Sequence, residues 1–74
     1  MDTHARVEGL RAFLFHGEPW VQLYFSHLDE PETIRSERFS RDSLPDGLRV
    51  GDEIKVFYLL GSVASIRRGG TPAL

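Results

Sequence analysis

One stretch near the N-terminus constrains the fold more than any other part of the chain. Residues 10–25 form two runs of aromatic and aliphatic residues separated by His-Gly-Glu-Pro, and each run alternates with a period of two. Alternation on both sides of a turn signal is typical of a β-hairpin. We expect a two-residue loop at Gly17 and Glu18, because a type II′ turn requires Gly at its first central position.

This loop places Phe15 opposite Trp20 and gives the hairpin two faces of different composition. One face suits a core and consists of Leu10, Ala12, Leu14, Val21, Leu23 and Phe25. The other face is far more aromatic than a solvated face requires and consists of Arg11, Phe13, Phe15, Trp20, Gln22 and Tyr24. Two interpretations of this second face remain open. It is either an exposed binding surface or a buried one, in a hairpin whose first face is covered by barrel closure and whose second face is covered by the C-terminal strand or tail.

The remaining segments are also extended. A first strand that starts near Ala5 enters the hairpin through Gly9, where the alternation slips and predicts a β-bulge. Residues 33–39 form a polar strand that suits a sheet edge. Residues 53–60 form the clearest strand, and its second half is apolar on both sides, so we expect that half to be covered twice.

The last hairpin turns at Gly61 and Ser62 and continues into a strand at residues 63–67. Its register stays open at this point. A two-residue loop aligns Ile66 with Phe57, whereas a three-residue loop aligns Ile66 with Tyr58. Turn residues dominate between the third and fourth strands, with room for one short helical turn at residues 41–44.

Five short strands at regular spacing predict an all-β fold, a small five-stranded and partly open β-barrel of OB-like or SH3-like type. Residues 1–68 form this single domain, and the composition of residues 69–74 predicts a disordered C-terminal tail. A chain of 74 residues buries a small core, so oligomerisation is one way to offset its marginal stability. The chain has no cysteine, which excludes disulfides, thiolate zinc sites and cysteine nucleophiles.

The segment at residues 44–56, Leu-Pro-Asp-Gly-Leu-Arg-Val-Gly-Asp-Glu-Ile-Lys-Val, resembles the linker and following strand of small bacterial β-barrel domains of the OB-fold and SH3-like types. In those families a glycine-aspartate turn leads into a late barrel strand. OB-type RNA-binding domains carry aromatic and basic residues on their second and third strands. The resemblance therefore implies Trp20, Tyr24, Arg35 and Arg38 as the corresponding positions.

Charge argues against bulk electrostatic binding of nucleic acid, because the net charge is -2. Its distribution weakens that argument, since Asp29, Glu30 and Glu32 sit together in the loop after the second strand. No secretory signal is present at the N-terminus, and no segment approaches the roughly 18 apolar residues of a membrane span. We therefore expect a cytoplasmic protein with no membrane contact.

No constellation of residues predicts catalysis, a metal site or a cofactor. His4, His16 and His27 are scattered, and no pair of them has the spacing of metal ligands on a helix. The sequence therefore predicts a non-catalytic binding module. Its partner is another protein or a second copy, held by Arg11, Phe13, Phe15, Trp20, Gln22 and Tyr24. The alternative is a binder of single-stranded RNA or DNA that uses Arg11, Trp20, Tyr24, Arg35 and Arg38.

Overall fold

Five antiparallel strands form one curled sheet. The computed structural model describes residues 2–69, and the sheet contains β1 (Asp2–Phe15), β2 (Glu18–His27), β3 (Glu30–Ser40), β4 (Glu53–Leu59) and β5 (Ser62–Arg68). A 3-10 turn, Arg41–Ser43, follows β3. The strand order is β3-β2-β1-β4-β5, and the two edge strands of the described sheet are not paired with each other. The predicted all-β, partly open barrel is confirmed.

The long strand β1 joins the two halves of the sheet. Its residues 2–6 pair with β4, and the register with β2 shifts between Val7 and Gly9, so that Glu8 is an extra residue. The bulge predicted near Gly9 is confirmed. At the bulge the Val7 N–H donates to the Asp52 carbonyl at 2.9 Å, and the Gly51 N–H donates to the Val7 carbonyl at 2.8 Å. Gly51 and Asp52, which precede β4, thus extend the hydrogen bonding between this segment and β1 from Arg6 to Val7.

The core lies on the inner side of this sheet. It consists of Ala5, Val7, Leu23, Phe25, Ile54, Val56 and Ile66, none of them more than 4% exposed. On the outer side of β4, Phe57 is 37% exposed and Leu59 is 58% exposed. The prediction that the second half of this strand is covered on both sides is therefore wrong. A single curled sheet has only one inner face to bury.

The first hairpin turns at His16 and Gly17, not at Gly17 and Glu18. Both turn residues have positive φ, 52° for His16 and 77° for Gly17, as a type I′ turn requires. Phe13, rather than Phe15, therefore lies opposite Trp20. This correction moves the register by two residues, which leaves every side chain on its predicted face because the period of a strand is two.

The last hairpin also turns one residue earlier than predicted, with positive φ at both turn residues. Its turn is Leu60-Gly61, with φ of 54° and 81°, and Ile66 lies opposite Val56. Neither register considered from the sequence is right, because a register shift next to Tyr58 also leaves Ala64 without a direct partner. The shift brings Ile66 into the core.

Arg68 fastens the connector between β3 and β4 to the last strand. Its Nη1 lies 3.3 Å from Asp52 Oδ2, and its Nη2 donates to the Asp46 carbonyl. The Arg49 N–H donates to the same Asp52 oxygen at 2.9 Å. One oxygen of the Asp52 carboxylate thus ties the connector to the last strand, and Asp52 itself belongs to the segment that bonds to β1.

Gly69, the first residue of the predicted tail, lies against β4. Its N–H donates to the Glu53 carbonyl at 3.0 Å, and a Cβ added at this position would lie 2.8 Å from the Ile54 carbonyl carbon. Only glycine fits this approach without displacing the backbone of β4. Residues 70–74, the rest of the predicted tail, lie outside the described residues.

The Leu60→Asn substitution is expected to raise the free energy of unfolding by about 0.5–1 kcal/mol. A non-glycine residue in the left-handed region costs about 1–2 kcal/mol, and Asn tolerates that region far better than Leu. Leu60 is 98% exposed, so the substitution loses no buried contact. Urea unfolding measures the change. Leu59→Asn, one residue earlier and without positive φ, is the control, and an equal gain there would contradict the explanation.

The pH dependence of stability should include a contribution from Asp52. The hydrogen bond from the Arg49 N–H, with help from Arg68, lowers the pKa of Asp52 below its ordinary value. Between the folded and unfolded pKa values the unfolded chain binds more protons. The contribution is therefore complete above the unfolded value of about 3.9 and is lost as the pH falls through the folded value.

Thermal unfolding of the wild type and of Asp52→Asn from neutral to acid pH tests this expectation. The wild type should lose stability more steeply than the variant as the medium becomes acidic. Asp42→Asn is the control, because the Asp42 carboxylate makes no hydrogen bond or ion pair within residues 2–69. Parallel curves for the wild type and Asp52→Asn would contradict the assignment.

Candidate functional site

The six residues predicted to contact a partner lie on one side of the β1–β2 hairpin. Leu10 pairs with Leu23, which is buried in the core, so residues that alternate with them along each strand point to the outer side. On that side Phe13 pairs with Trp20. We call this surface the aromatic face, and it consists of Arg11, Phe13, Phe15, Trp20, Gln22 and Tyr24.

The rings of this surface pack along the sheet rather than into the core. The Phe15 and Trp20 ring centroids lie 5.9 Å apart at an interplanar angle of 80°, the edge-to-face arrangement that aromatic pairs favour. Tyr24 lies over Gly9, because a Cβ added at Gly9 would be 3.3 Å from Tyr24 Cδ2. Phe15 is 47% exposed, whereas Phe13 and Tyr24 are half-buried.

None of these aromatic residues belongs to the core of the described chain or packs against it. The C-terminal strand does not pair with this half of the sheet, since β5 is hydrogen-bonded to β4 and contributes Ile66 to the core on the inner side. Coverage by the C-terminal strand is therefore not what the described residues show, and coverage by the tail concerns residues 70–74, which lie outside them.

Trp20 carries the one orphaned polar atom of the described side chains. Its indole Nε1 is shielded from solvent and has no hydrogen-bond partner within residues 2–69. An unsatisfied buried donor costs about 1–3 kcal/mol. The fold therefore keeps a tryptophan at the centre of the aromatic face at some expense in stability, which a plain apolar ring at this position would not incur.

The strand β3 extends the aromatic face with polar side chains. Arg38 pairs with Gln22, which in turn pairs with Arg11, so an Arg-Gln-Arg row crosses three strands between Trp20 and Tyr24. The flanking β3 positions on this side are serines, with Ser36 opposite Tyr24 and Ser40 opposite Trp20. The sheet thus places two guanidinium groups, those of Arg11 and Arg38, beside the aromatic rings on this side.

Arg35, the fifth residue predicted for nucleic-acid contact, lies elsewhere. It pairs with the buried Phe25, which puts it on the inner side of the sheet. Its Nη2 also lies 2.7 Å from Glu30 Oε1 in an exposed ion pair. Four of the five predicted residues, Arg11, Trp20, Tyr24 and Arg38, therefore share the outer side of the sheet, and Arg35 does not.

A groove borders the inner side of the same hairpin. From Leu10 onward, no strand within residues 2–69 lies on the second edge of β1, because its pairing with β4 covers residues 2–6. The connector lies beside this edge and leaves an open, largely apolar groove of about 660 Å³. Its lining includes Leu14, Val21, Leu44 and Leu48, together with Phe13 and Trp20 of the aromatic face. The groove was not predicted from the sequence, since turn residues dominate the connector and its leucines follow no strand or helix pattern.

His27 and Tyr58 form a hydrogen-bonded pair between two strands. His27 Nε2 and the Tyr58 hydroxyl lie 2.7 Å apart, with the rings edge to face, and they link the end of β2 to β4 across the barrel. Burial raises the pKa of the Tyr58 hydroxyl. Within residues 2–69 no group of three His, Cys, Asp or Glu side chains could hold a metal ion.

The comparisons with known proteins leave the aromatic face as the main guide to function. The chain matched no model of a protein family, no curated protein and no solved structure. In addition, no helix among the described residues is long and apolar enough to cross a membrane. Function therefore has to be argued from the geometry and chemistry of the surface itself.

Proposed function

We propose that the protein is a non-catalytic binding module that docks a protein partner on its aromatic face. One observation carries this proposal: Phe13, Phe15, Trp20 and Tyr24 share the outer side of one hairpin, and none of them contributes to the core. Clustered apolar surface of this kind on a small domain commonly marks a site of protein contact. Trp, Tyr and Arg are also the residue types enriched among the residues that dominate binding energy.

In this proposal the aromatic rings supply the binding energy by leaving water. Phe15 and Trp20 form the centre of the contact, and Arg11 and Gln22 make hydrogen bonds at its edge. A carbonyl or carboxylate of the partner would also accept the unpaired Trp20 N–H after a small movement of the ring. Rigid aromatic anchors suit this role because they lose little conformational entropy on binding.

The OB type is our proposal for the family of barrels. It rests on the resemblance of residues 44–56 and on the strand pairing, in which β1 bonds to both β2 and β4. An OB-fold is a five-stranded, partly open Greek-key barrel that binds its ligands on the face of strands 2 and 3. The aromatic face here lies on β1 and β2, and Arg38 of β3 adjoins it through its pairing with Gln22.

A second candidate function is the binding of single-stranded nucleic acid on the same face. The row of Arg11, Gln22 and Arg38 favours it, because it lies between Trp20 and Tyr24, where a strand with stacked bases would place its phosphates. Glu30 of the acidic loop adds no charge to this surface, since it is paired with Arg35 on the inner side.

Trp20→Ala is expected to remove partner binding while the fold persists. Because Trp20 lies outside the core, the free energy of unfolding should fall by about 1 kcal/mol, whereas Leu23→Ala in the core should cost about 2–5 kcal/mol. Urea unfolding measures both. Unfolding of Trp20→Ala at room temperature would place Trp20 in the core and contradict the proposal.

The binding part of this experiment uses the intact chain as bait in an extract of its source cells. A protein retained at high salt by the wild type and by Leu28→Ala, an exposed residue outside the face, should be lost with Trp20→Ala. That protein is then purified and titrated against all three chains. Equal affinity for the wild type and Trp20→Ala would overturn the proposal.

An oligonucleotide titration tests the second function. If Arg11 and Arg38 contact two phosphates of a single-stranded thymidine oligomer, affinity should fall about sevenfold between about 50 and 200 mM salt. Arg38→Ala should weaken binding, whereas Arg35→Ala on the inner side should not. Absence of binding at low salt, or equal effects of the two substitutions, would exclude this function.

A further inference from the structure

The strand β3 presents a long free edge. It pairs with β2 along one side, and no strand within residues 2–69 pairs with the other. The positions from Pro31 to Arg38 are all exposed, and Ile34 is 54% exposed. A strand directs half of its N–H and C=O groups to each edge, so β3 offers a row of unpaired backbone groups.

A second copy of the chain is the partner that fits this edge best. Two identical antiparallel strands related by a two-fold axis must pair residue i with residue j and residue j with residue i. Residues that are directly opposite lie on the same face of the sheet. A closed two-fold ladder is therefore centred on one residue, which lies opposite its own copy.

The charged residues of β3 indicate which residue lies at the centre of this ladder. A ladder centred on Arg35, Glu37 or Arg38 places that charged residue opposite its own copy, which is unfavourable. A ladder centred on Ile34 brings Pro31, which has no N–H, into the pairing. A ladder centred on Ser36 avoids both faults.

The Ser36-centred ladder is also complementary in charge. It runs over residues 32–40 and leaves Pro31 just outside. Its pairs are Ser36 with Ser36, Arg35 with Glu37, Ile34 with Arg38, Thr33 with Phe39, and Glu32 with Ser40, the last four occurring twice. Two opposite-charge pairs flank the axis, and no two like charges lie opposite each other.

We infer that two copies of the chain associate edge to edge through β3, with Ser36 at the two-fold axis. The contact joins the two five-stranded sheets into one continuous sheet and shields the exposed Ile34. Because Tyr24 pairs with Ser36, the aromatic faces of the two copies become neighbours across the axis. The dimer does not use the aromatic face and does not rest on the function proposed for it.

A single cysteine tests the axis directly, because the chain has none of its own. Residues directly opposite in antiparallel strands have Cα atoms about 4.5–5.5 Å apart, which is within the range that a disulfide bridges. Ser36→Cys should therefore form a covalent dimer under mild oxidation at low protein concentration. Ser62→Cys, exposed at the start of β5, is the control and should stay monomeric on a non-reducing gel. Equal cross-linking of the two variants would overturn the inference.

Exchanging the charges of Arg35 and Glu37 tests the pairing independently, through the dissociation constant of the dimer. In sedimentation equilibrium the Arg35→Glu chain should dimerise about tenfold more weakly than the wild type, because two cross-strand pairs change from opposite to like charges. The double variant Arg35→Glu with Glu37→Arg should restore the wild-type dissociation constant. Circular dichroism checks that each variant folds. A monomeric wild type, or failure of the double variant to restore the dimer, would overturn the inference, whereas loss of dimer in Trp20→Ala would assign the contact to the aromatic face.

Discussion

The change of partner along β1 is the constraint on which the rest of the fold depends. One edge of this strand is hydrogen-bonded to β4 over residues 2–6, and the extra residue Glu8 bends the strand where that pairing ends. Val7 is held at this point by backbone hydrogen bonds to Gly51 and Asp52. A bulge increases local twist and coil, which is how a single sheet curls around a core. Both the core and the aromatic face follow from this bend.

The bend also explains why two kinds of surface meet at one hairpin. Beyond the bulge, β1 and β2 extend past β4, so their inner side is only partly covered by the connector and the groove remains open. Their outer side has no second layer within the described residues, and its aromatic rings lie on one another and on Gly9 instead. The connector depends in turn on Asp52, which binds Arg49 and Arg68 as well as the bulge. Loss of the Asp52 carboxylate would therefore change the position of the connector and the shape of the groove before it affected the packing of the core.

Much of this was predictable from the sequence, and the errors share one cause. The alternation of residues 10–25 assigned each side chain to the correct face, and the slip at Gly9 located the bulge. Both hairpin turns were misplaced by one residue because each has a single glycine, which was assigned to the first turn position. The structure uses it in the second and accepts positive φ at His16 and Leu60. Local propensity argues against such residues in the left-handed region, so tertiary pairing decided the register.

Features that depend on contacts between distant segments were not predictable. The alternation could place Arg35 and Arg38 on opposite faces of β3, yet only the pairing with β2 shows that Arg38 belongs with Trp20 and that Arg35 belongs with Glu30. Net charge misleads for the same reason. The formal charge of -2 is a sum over groups in different places. It includes Asp52, which holds the connector, and Glu30, which is paired with Arg35, as well as the guanidinium groups on the outer surface. What a partner meets is the local arrangement, because charges separated by more than about 10 Å are largely screened in salt. The row of Arg11, Gln22 and Arg38, rather than the total charge of the chain, is therefore the electrostatic property that any ligand of this face has to match.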